Sequence, residues 1–228
     1  MEMIRQKKIS GTKLPPEDEL AKLIGVSLAT LREALQDLNA EGIISKRHGS
    51  GNFIHQSALT VRMRIDRYSD FINLLKDGGY EAKATYSAMR LEKADEIVTT
   101  ALNIKPDSMV VVYEKIFWVD GKIAIYAQNR IPYQYFVQDI ETVEDEIDLG
   151  TLIWQYCRRD LAQGIQEFIP TVLQEEDVEL FGLPKGTPMT SWKETFYTLE
   201  DMPICLSWVK FNPVLVKMTT LWKWGQKS

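Results

Sequence analysis

Ser27, Thr30, Arg32, Glu33 and Gln36 fall on one side of a helical repeat, with Leu31, Ala34, Leu35 and Leu38 on the other. The apolar set keeps the i, i+3, i+4, i+7 spacing of a single buried face. The opposite set offers short hydrogen-bonding side chains beside one guanidinium, a surface that can enter a major groove and meet base edges and phosphates. A second group, His48-Gly49-Ser50-Gly51, is a glycine-rich tip between two short β-prone stretches. Catalytic chemistry is harder to find. His48 and His55 are the only histidines, and Cys157 and Cys205 form no metal-ligand spacing. No nucleophile–base pair or phosphate loop is present, and nothing in the chain calls for a metal or cofactor.

Two helices and a hairpin must hold these groups. Pro15-Pro16-Glu17-Asp18-Glu19-Leu20-Ala21-Lys22-Leu23-Ile24 predicts a short helix, with proline at its start and three acids facing the positive end of its dipole. Gly25-Val26-Ser27 is a tight turn. Ser27 then caps a second helix that runs to Ala40, where Gly42 can take φ > 0 and end it. Residues 43–54 complete a two-stranded wing. Helix, turn, helix and hairpin make a winged helix-turn-helix, whose second helix reads the major groove. Winged helices also bind proteins, so a scaffold remains a rival reading at this point.

Leu14-Pro15-Pro16-Glu17-Asp18-Glu19-Leu20-Ala21, Val26-Ser27, Thr30-Leu31-Arg32-Glu33-Ala34-Leu35, Glu41-Gly42 and Gly49-Ser50-Gly51 resemble the GntR-family DNA-binding domain. The resemblance implies a bacterial transcription regulator that binds operator DNA as a homodimer. It places Glu17, Ser27, Thr30 and Arg32 on operator-contacting positions, and His48, Gly49, Ser50 and Gly51 on a wing tip that approaches the minor groove. Leu28 stands where many members carry arginine, which implies a different operator. The first helix of such a domain has only Met1 to about Lys8 available, so a less stable domain than usual is expected.

The net charge of −5 looks wrong for a DNA binder until it is divided. Residues 1–67 hold 11 Lys+Arg and 8 Asp+Glu, or +3; the rest holds 16 and 24, or −8. A modestly basic module on an acidic body suits a specific reader rather than a coat protein. No apolar run reaches the ~18–20 residues of a membrane span, and the N-terminus lacks a signal peptide's apolar region. Reduced cysteines in a cytoplasmic protein are expected.

The division sets the domains: 1–56 for the winged helix, 57–67 for a linker, and 68–228 for the rest. In the linker Val61, Met63 and Ile65 alternate with charges, which predicts an edge strand; Arg62, Arg64 and Arg67 are expected to tie the domains together. Beyond it, Tyr68–Lys76 predicts a helix, 82–91 one strand, and Lys93–Asn103 a helix with Ala94, Ile97, Val98, Ala101 and Leu102 inward. Met109–Val119 and Lys122–Ile131 flank the hairpin signal Asp120-Gly121. The acidic stretch Glu141–Asp148 is expected to be a solvated face. A helix start near Gly150, a strand 163–172, a helix 175–181 and strands 189–198 and 204–211 follow. This pattern is an α+β domain with an antiparallel sheet.

Gly79, Leu102-Asn103-Ile104-Lys105-Pro106, Asp120-Gly121, Gly150-Thr151-Leu152, Phe181-Gly182-Leu183-Pro184-Lys185-Gly186-Thr187-Pro188 and Met202-Pro203 look like the UTRA ligand-binding domain over roughly residues 70–212. That resemblance implies a chorismate-lyase-like fold, a small-molecule effector pocket and dimerisation through this domain. Members that bind phosphorylated sugars carry two arginines where this chain has Lys115 and Phe117, and a late carboxylate where it has Cys205. A phosphate wants several charge-assisted donors, so a phosphosugar fits poorly. Lys115, Phe117, Arg130, Thr151 and Trp208 are the candidate effector contacts: a cation, a hydroxyl and aromatic walls, suited to a small anion or to a quaternary ammonium. The function implied is a ligand-responsive regulator, by family habit a repressor. Its rival is an enzyme of lyase-like fold with a DNA-binding appendage.

Overall fold

Strand β5 (Met109–Val119) and strand β6 (Lys122–Pro132) are rich in valine and isoleucine, and a two-residue turn joins them. Asp120 and Gly121 both take positive φ there, 49° and 74°, as a type I′ hairpin turn requires. This pair anchors a seven-stranded antiparallel sheet in the order β3 (Ala82–Tyr86), β5, β6, β9 (Pro203–Phe211), β8 (Pro188–Thr198), β7 (Leu161–Val172). Strand β4 (Arg90–Lys93) pairs with the first part of β5, beyond the stretch that β3 covers. The computed structural model describes residues 12–67, 70–143 and 147–223.

By its internal contacts the chain forms two units. One runs up to Ser69 and takes back the chain from Met218; the other is Asp70–Lys217. In the first, α1 (Glu17–Ile24) and α2 (Leu28–Ala40) precede the wing strands β1 (Ile44–Arg47) and β2 (Gly51–Ile54). Leu20, Leu31, Leu35, Ile43, Ile44 and Ile54 form its core. Each such side chain contributes about 1.5–3 kcal/mol on burial. Ala34 is exposed rather than inside: two leucines one turn apart fill the space under the helix, and the alanine lies at the edge of that stripe. The helix ends in a Schellman turn, with Ile43 N donating to Leu38 O at 2.9 Å and Gly42 N to Asn39 O at 3.1 Å.

In the second unit, α4 (Phe71–Asp77) packs through Phe71 on Phe117, Trp192 and Phe211, with centroids 5.1–5.7 Å apart. α6 (Leu149–Cys157) packs on the same face through Leu152, Ile153 and Tyr156. The opposite face takes α5 (Glu96–Leu102) and α7 (Glu175–Phe181). This is the α+β arrangement read from the sequence.

Several local expectations change. The linker's alternation does not form a strand: α3 (Gln56–Thr60) and a 3-10 turn at Ile65–Arg67 replace it, and only Arg64 makes a bridge, with Thr219. Residues 82–91 are two strands, because the chain bends at 87–89, where Ser87 Oγ accepts from Glu114 N at 2.8 Å. Ile97 points to solvent at 58% exposure, while Val98 and Leu102, with Ala94 and Ala101 beside them, pack on the sheet. The acidic stretch is not wholly solvated: Ile147 is buried and Asp148 caps α6. The first helix expected at Met1–Lys8 lies outside the described residues.

Candidate nucleic-acid interface and effector pocket

The loop geometry of α2 fixes its exposed row. Ser27 is the N-cap, its Oγ accepting from Thr30 N at 3.1 Å and lying 2.8 Å from Thr30 Oγ1. Serine and threonine therefore satisfy an orphan donor of the helix and sit together at its tip. Arg32, one turn on, is 59% exposed and donates from Nε to Glu17 Oε2 at 2.8 Å. Lys46 of β1 reaches the other oxygen of Glu17 at 3.1 Å. Glu17 thus sits between two cations on different elements, and the Arg32 guanidinium first, Lys46 second, hold its carboxyl below the usual carboxylate range. A carboxylate so engaged orients arginine and lysine rather than meeting a phosphate itself.

The wing tip turns at His48, Gly49 and Ser50, all exposed, with Ser50 N donating to Arg47 O at 3.0 Å. Gly49 and Gly51 have φ of 71° and 96°, which glycine adopts without a Cβ penalty. Arg47 and Lys13 flank the Phe53 ring, at 5.5 and 5.9 Å. Lys13, Lys46 and Arg47 are basic groups that sequence reasoning passed over. Their signal was present, as cations in or beside the wing strands, but their gathering depends on a contact from Lys13 to Phe53, 40 positions along.

In the other unit, the two faces of the sheet divide the five candidate effector residues. Successive strand residues face opposite sides. Lys115 lies on the face of Tyr113 and Phe117, toward α4 and α6. Arg130 pairs in register with Val112 and Leu206 and stacks 4.6 Å over Trp208, on the α5 face. Arg130 and Trp208 therefore do not share a site with Lys115. Burial pulls the Arg130 guanidinium below its ordinary pKa, and its Nη1 is buried with no hydrogen-bond partner. Phe117 is 1% exposed and belongs to the aromatic core around Phe71; the Lys115 ammonium lies 5.2 Å over its ring and 4.9 Å over that of Tyr86.

Beside Tyr86 opens a cavity of about 330 Å³, lined by Ser87, Met89, Tyr113, Ile140, Glu141 and Ile147 among others. Thr151 stands at the start of α6, where its N and Oγ1 donate to Asp148 at 3.0 and 2.5 Å. Asp148 is depressed below its usual pKa against a burial penalty, by these bonds and by the charge of Lys115. Lysine, capping aspartate and threonine thus form one group near the cavity. The sequence reads Asp148 as part of a solvated acidic stretch, although an aspartate three residues before Thr151 is a cap signal; the bend that brings Tyr86–Met89 to the cavity has no such signal.

Among the described residues no group of His, Cys, Asp and Glu could hold a metal. Burial pushes both thiols up to about 12. Glu194 is 3% exposed and burial raises its carboxyl to about 7, even though Gln166 donates to it at 3.1 Å.

Residues 1–54 match the family of bacterial regulatory proteins, gntR family, and residues 77–213 match the UTRA domain. The chain belongs to the UTRA-bearing GntR regulators. It is a transcriptional regulator with a GntR DNA-binding domain and a UTRA domain, and its family and relatives are regulators rather than enzymes. It is 24% identical over 196 residues to the HTH-type transcriptional regulator YurK of Bacillus subtilis, covering 86% of this chain and 80% of that one. It is 22% identical over 184 residues to the HTH-type transcriptional repressor NagR of the same organism, covering 81% and 74%. The crystal structure of the possible regulator YydK of Bacillus subtilis superposes with a TM-score of 0.77 at 19% identity, over 97% of this chain and 95% of the other. PhnF of Mycobacterium smegmatis gives 0.63 at 19%, over 97% of both. No helix among the described residues is long and apolar enough to cross a membrane.

Proposed function

We propose that this regulator is a cytoplasmic homodimeric repressor whose hold on its operator changes when a small metabolite enters the cavity beside Tyr86 and Lys115. The observation that carries this is the exposed Ser27–Thr30–Arg32 row with Lys46 beside it, in a unit separate from one that holds a 330 Å³ cavity. Thr30, Arg32 and Gln36 read base edges, Ser27 caps the reading helix, and Glu17 positions Arg32. The wing tip at His48–Gly51 meets the backbone.

The cavity favours an uncharged or cationic metabolite over a phosphorylated one. Among the described residues no lysine or arginine lines it; Lys115 touches it only through the Tyr86 ring, and its charge is answered by Asp148. Glu141 adds a second carboxylate to the lining, and Tyr86 and Tyr113 supply aromatic walls. Strand β7 is one edge of the sheet and exposes Ile165 and Ile169 on one face and Phe168 and Val172 on the other, at 38–54%. That apolar strip suits a second copy of the chain, and a dimer would present two reading helices to half-sites about one helical turn apart.

Fluorescence anisotropy on duplex DNA from upstream of the chain's own coding sequence, with a metabolite panel, tests the reading. One uncharged or cationic compound shifting the midpoint at least tenfold supports it. No shift with any compound, with specific binding intact, removes the effector half of the proposal.

A further inference from the structure

The chain from Met218 follows β9, yet its contacts place it in the DNA-reading unit. Thr219 N donates to Met63 O at 3.1 Å and Ile65 N to Thr219 O at 2.9 Å, so the tail and the linker pair as a short parallel bridge. Thr219 Oγ1 also bonds Arg62 O. Two residues on, Leu221 N donates to Asp66 Oδ1 at 3.2 Å.

These groups converge on the C-terminal end of α2. The last carbonyls of a helix have no partner within it and carry the negative end of its dipole. Here two cations answer them. Arg64 Nη2, held by Asp66, donates to Glu41 O at 3.0 Å, and Lys223 Nζ donates to Asn39 O at 2.5 Å. Gly42 lies under the tail: a Cβ there would overlap Leu221 Cδ2 and meet Lys223 Cγ at 3.2 Å. Its positive φ of 73° already requires glycine, and the tail's side chains close over it.

At its other end the tail starts from a fixed point. Asn212 is 2% exposed; its Nδ2 donates to Ile123 O at 3.0 Å, its N to Ala124 O at 2.9 Å, and its Oδ1 accepts from Val214 N at 3.0 Å. Five residues separate Asn212 from Met218.

We propose that the C-terminal tail is a working part of the DNA-reading unit. Thr219, Leu221 and Lys223 position the C-terminal end of the reading helix. Being continuous with β9, the tail gives the state of the effector domain a second covalent route to that helix, beside the linker. The functional meaning rests on α2 being the reading helix, but the test does not: it reads backbone protection and needs neither operator nor effector.

The experiment is hydrogen exchange by mass spectrometry on the full chain, the chain ending at Lys217, and Lys223→Ala. Peptides spanning 39–43 and 62–66 should exchange at least tenfold faster without the tail and measurably faster in Lys223→Ala, with β5 and β6 unchanged. Asn212→Ala in the full chain should loosen 39–43, and should add nothing in the chain ending at Lys217. Unchanged protection at 39–43 and 62–66 on deletion overturns the proposal. So does an Asn212→Ala effect of equal size with and without the tail. If Asn212→Ala also loosens β5 and β6, Lys223→Ala, a surface change, carries the decision.

Discussion

Arg32 and Glu17 meet at 2.8 Å across 15 positions of sequence, and Lys46 closes on the same carboxylate from the wing. One acid therefore aligns a cation on the reading helix with a cation on the hairpin. Replacing Glu17 by Ala should free both. Affinity for random-sequence duplex should rise, because one negative charge is gone and two cations are released to phosphates. Discrimination between operator and random duplex should fall several-fold. Competition anisotropy with both duplexes checks it; unchanged discrimination would mean that Glu17 positions nothing.

Arg32→Ala should leave the fold intact, since the side chain is 59% exposed. Loss of an arginine that contacts a base costs about 1–3 kcal/mol of specific binding, or roughly 5- to 150-fold. Circular dichroism should superimpose on that of the parent while the operator midpoint moves by that amount.

Glu194 makes stability depend on pH. Burial raises its folded carboxyl to about 7, from an ordinary value of about 4.5. Between these values the folded state binds more protons than the unfolded one, so stability falls as pH rises from about 4.5 to 7 and then levels off. A shift of that size corresponds to roughly 3 kcal/mol. Glu194→Gln keeps an acceptor for Gln166 and should abolish most of the slope. Calorimetric melting of both proteins at pH 5 and pH 8 checks it: the variant should gain relative stability at the higher pH.

Asp148→Ala removes the cap of α6 and should cost about 1 kcal/mol, read as a lower urea midpoint with unchanged slope. It also leaves Lys115 unanswered, so inorganic phosphate should then protect the variant against melting more than it protects the parent.

Ile165→Asp with Ile169→Asp places two charges on one face of the exposed edge strand, away from the Trp192 ring that Phe168 packs on. Sedimentation velocity should report a dimer for the parent and a monomer for the double variant, with the same melting profile at low concentration. A dimer that survives the double change lies elsewhere.

Helix α2 and the wing hairpin were legible because local signals agreed: the Ser27 cap, the leucine spacing, Gly42 and the Gly49–Gly51 tip. The β5–β6 hairpin was legible from Asp120-Gly121 for the same reason. What failed was nonlocal. Alternation at Val61, Met63 and Ile65 predicts a strand, but Met63 takes positive φ (51°) and, among the described residues, Thr219 provides the sole bridge. Arg130 and Lys115 are both basic strand residues, and only register shows that they stand on opposite faces of the sheet. In the sequence Phe117 reads as a pocket wall, because nothing local shows that Phe71 packs on it. The tail's return to Gly42 has no signal except the glycine itself, already explained by its helix-ending role.

The most direct test of sequence-specific DNA reading is a salt series of anisotropy titrations with the full chain, on its own upstream duplex and on a scrambled one. A reader of this design should prefer its own duplex by at least about 10³-fold near physiological salt. Log affinity should fall linearly with log salt, at a slope of about −0.9 per phosphate neutralised. Equal affinity for the two duplexes at every salt concentration would contradict the assignment of the exposed α2 row as a base-reading surface.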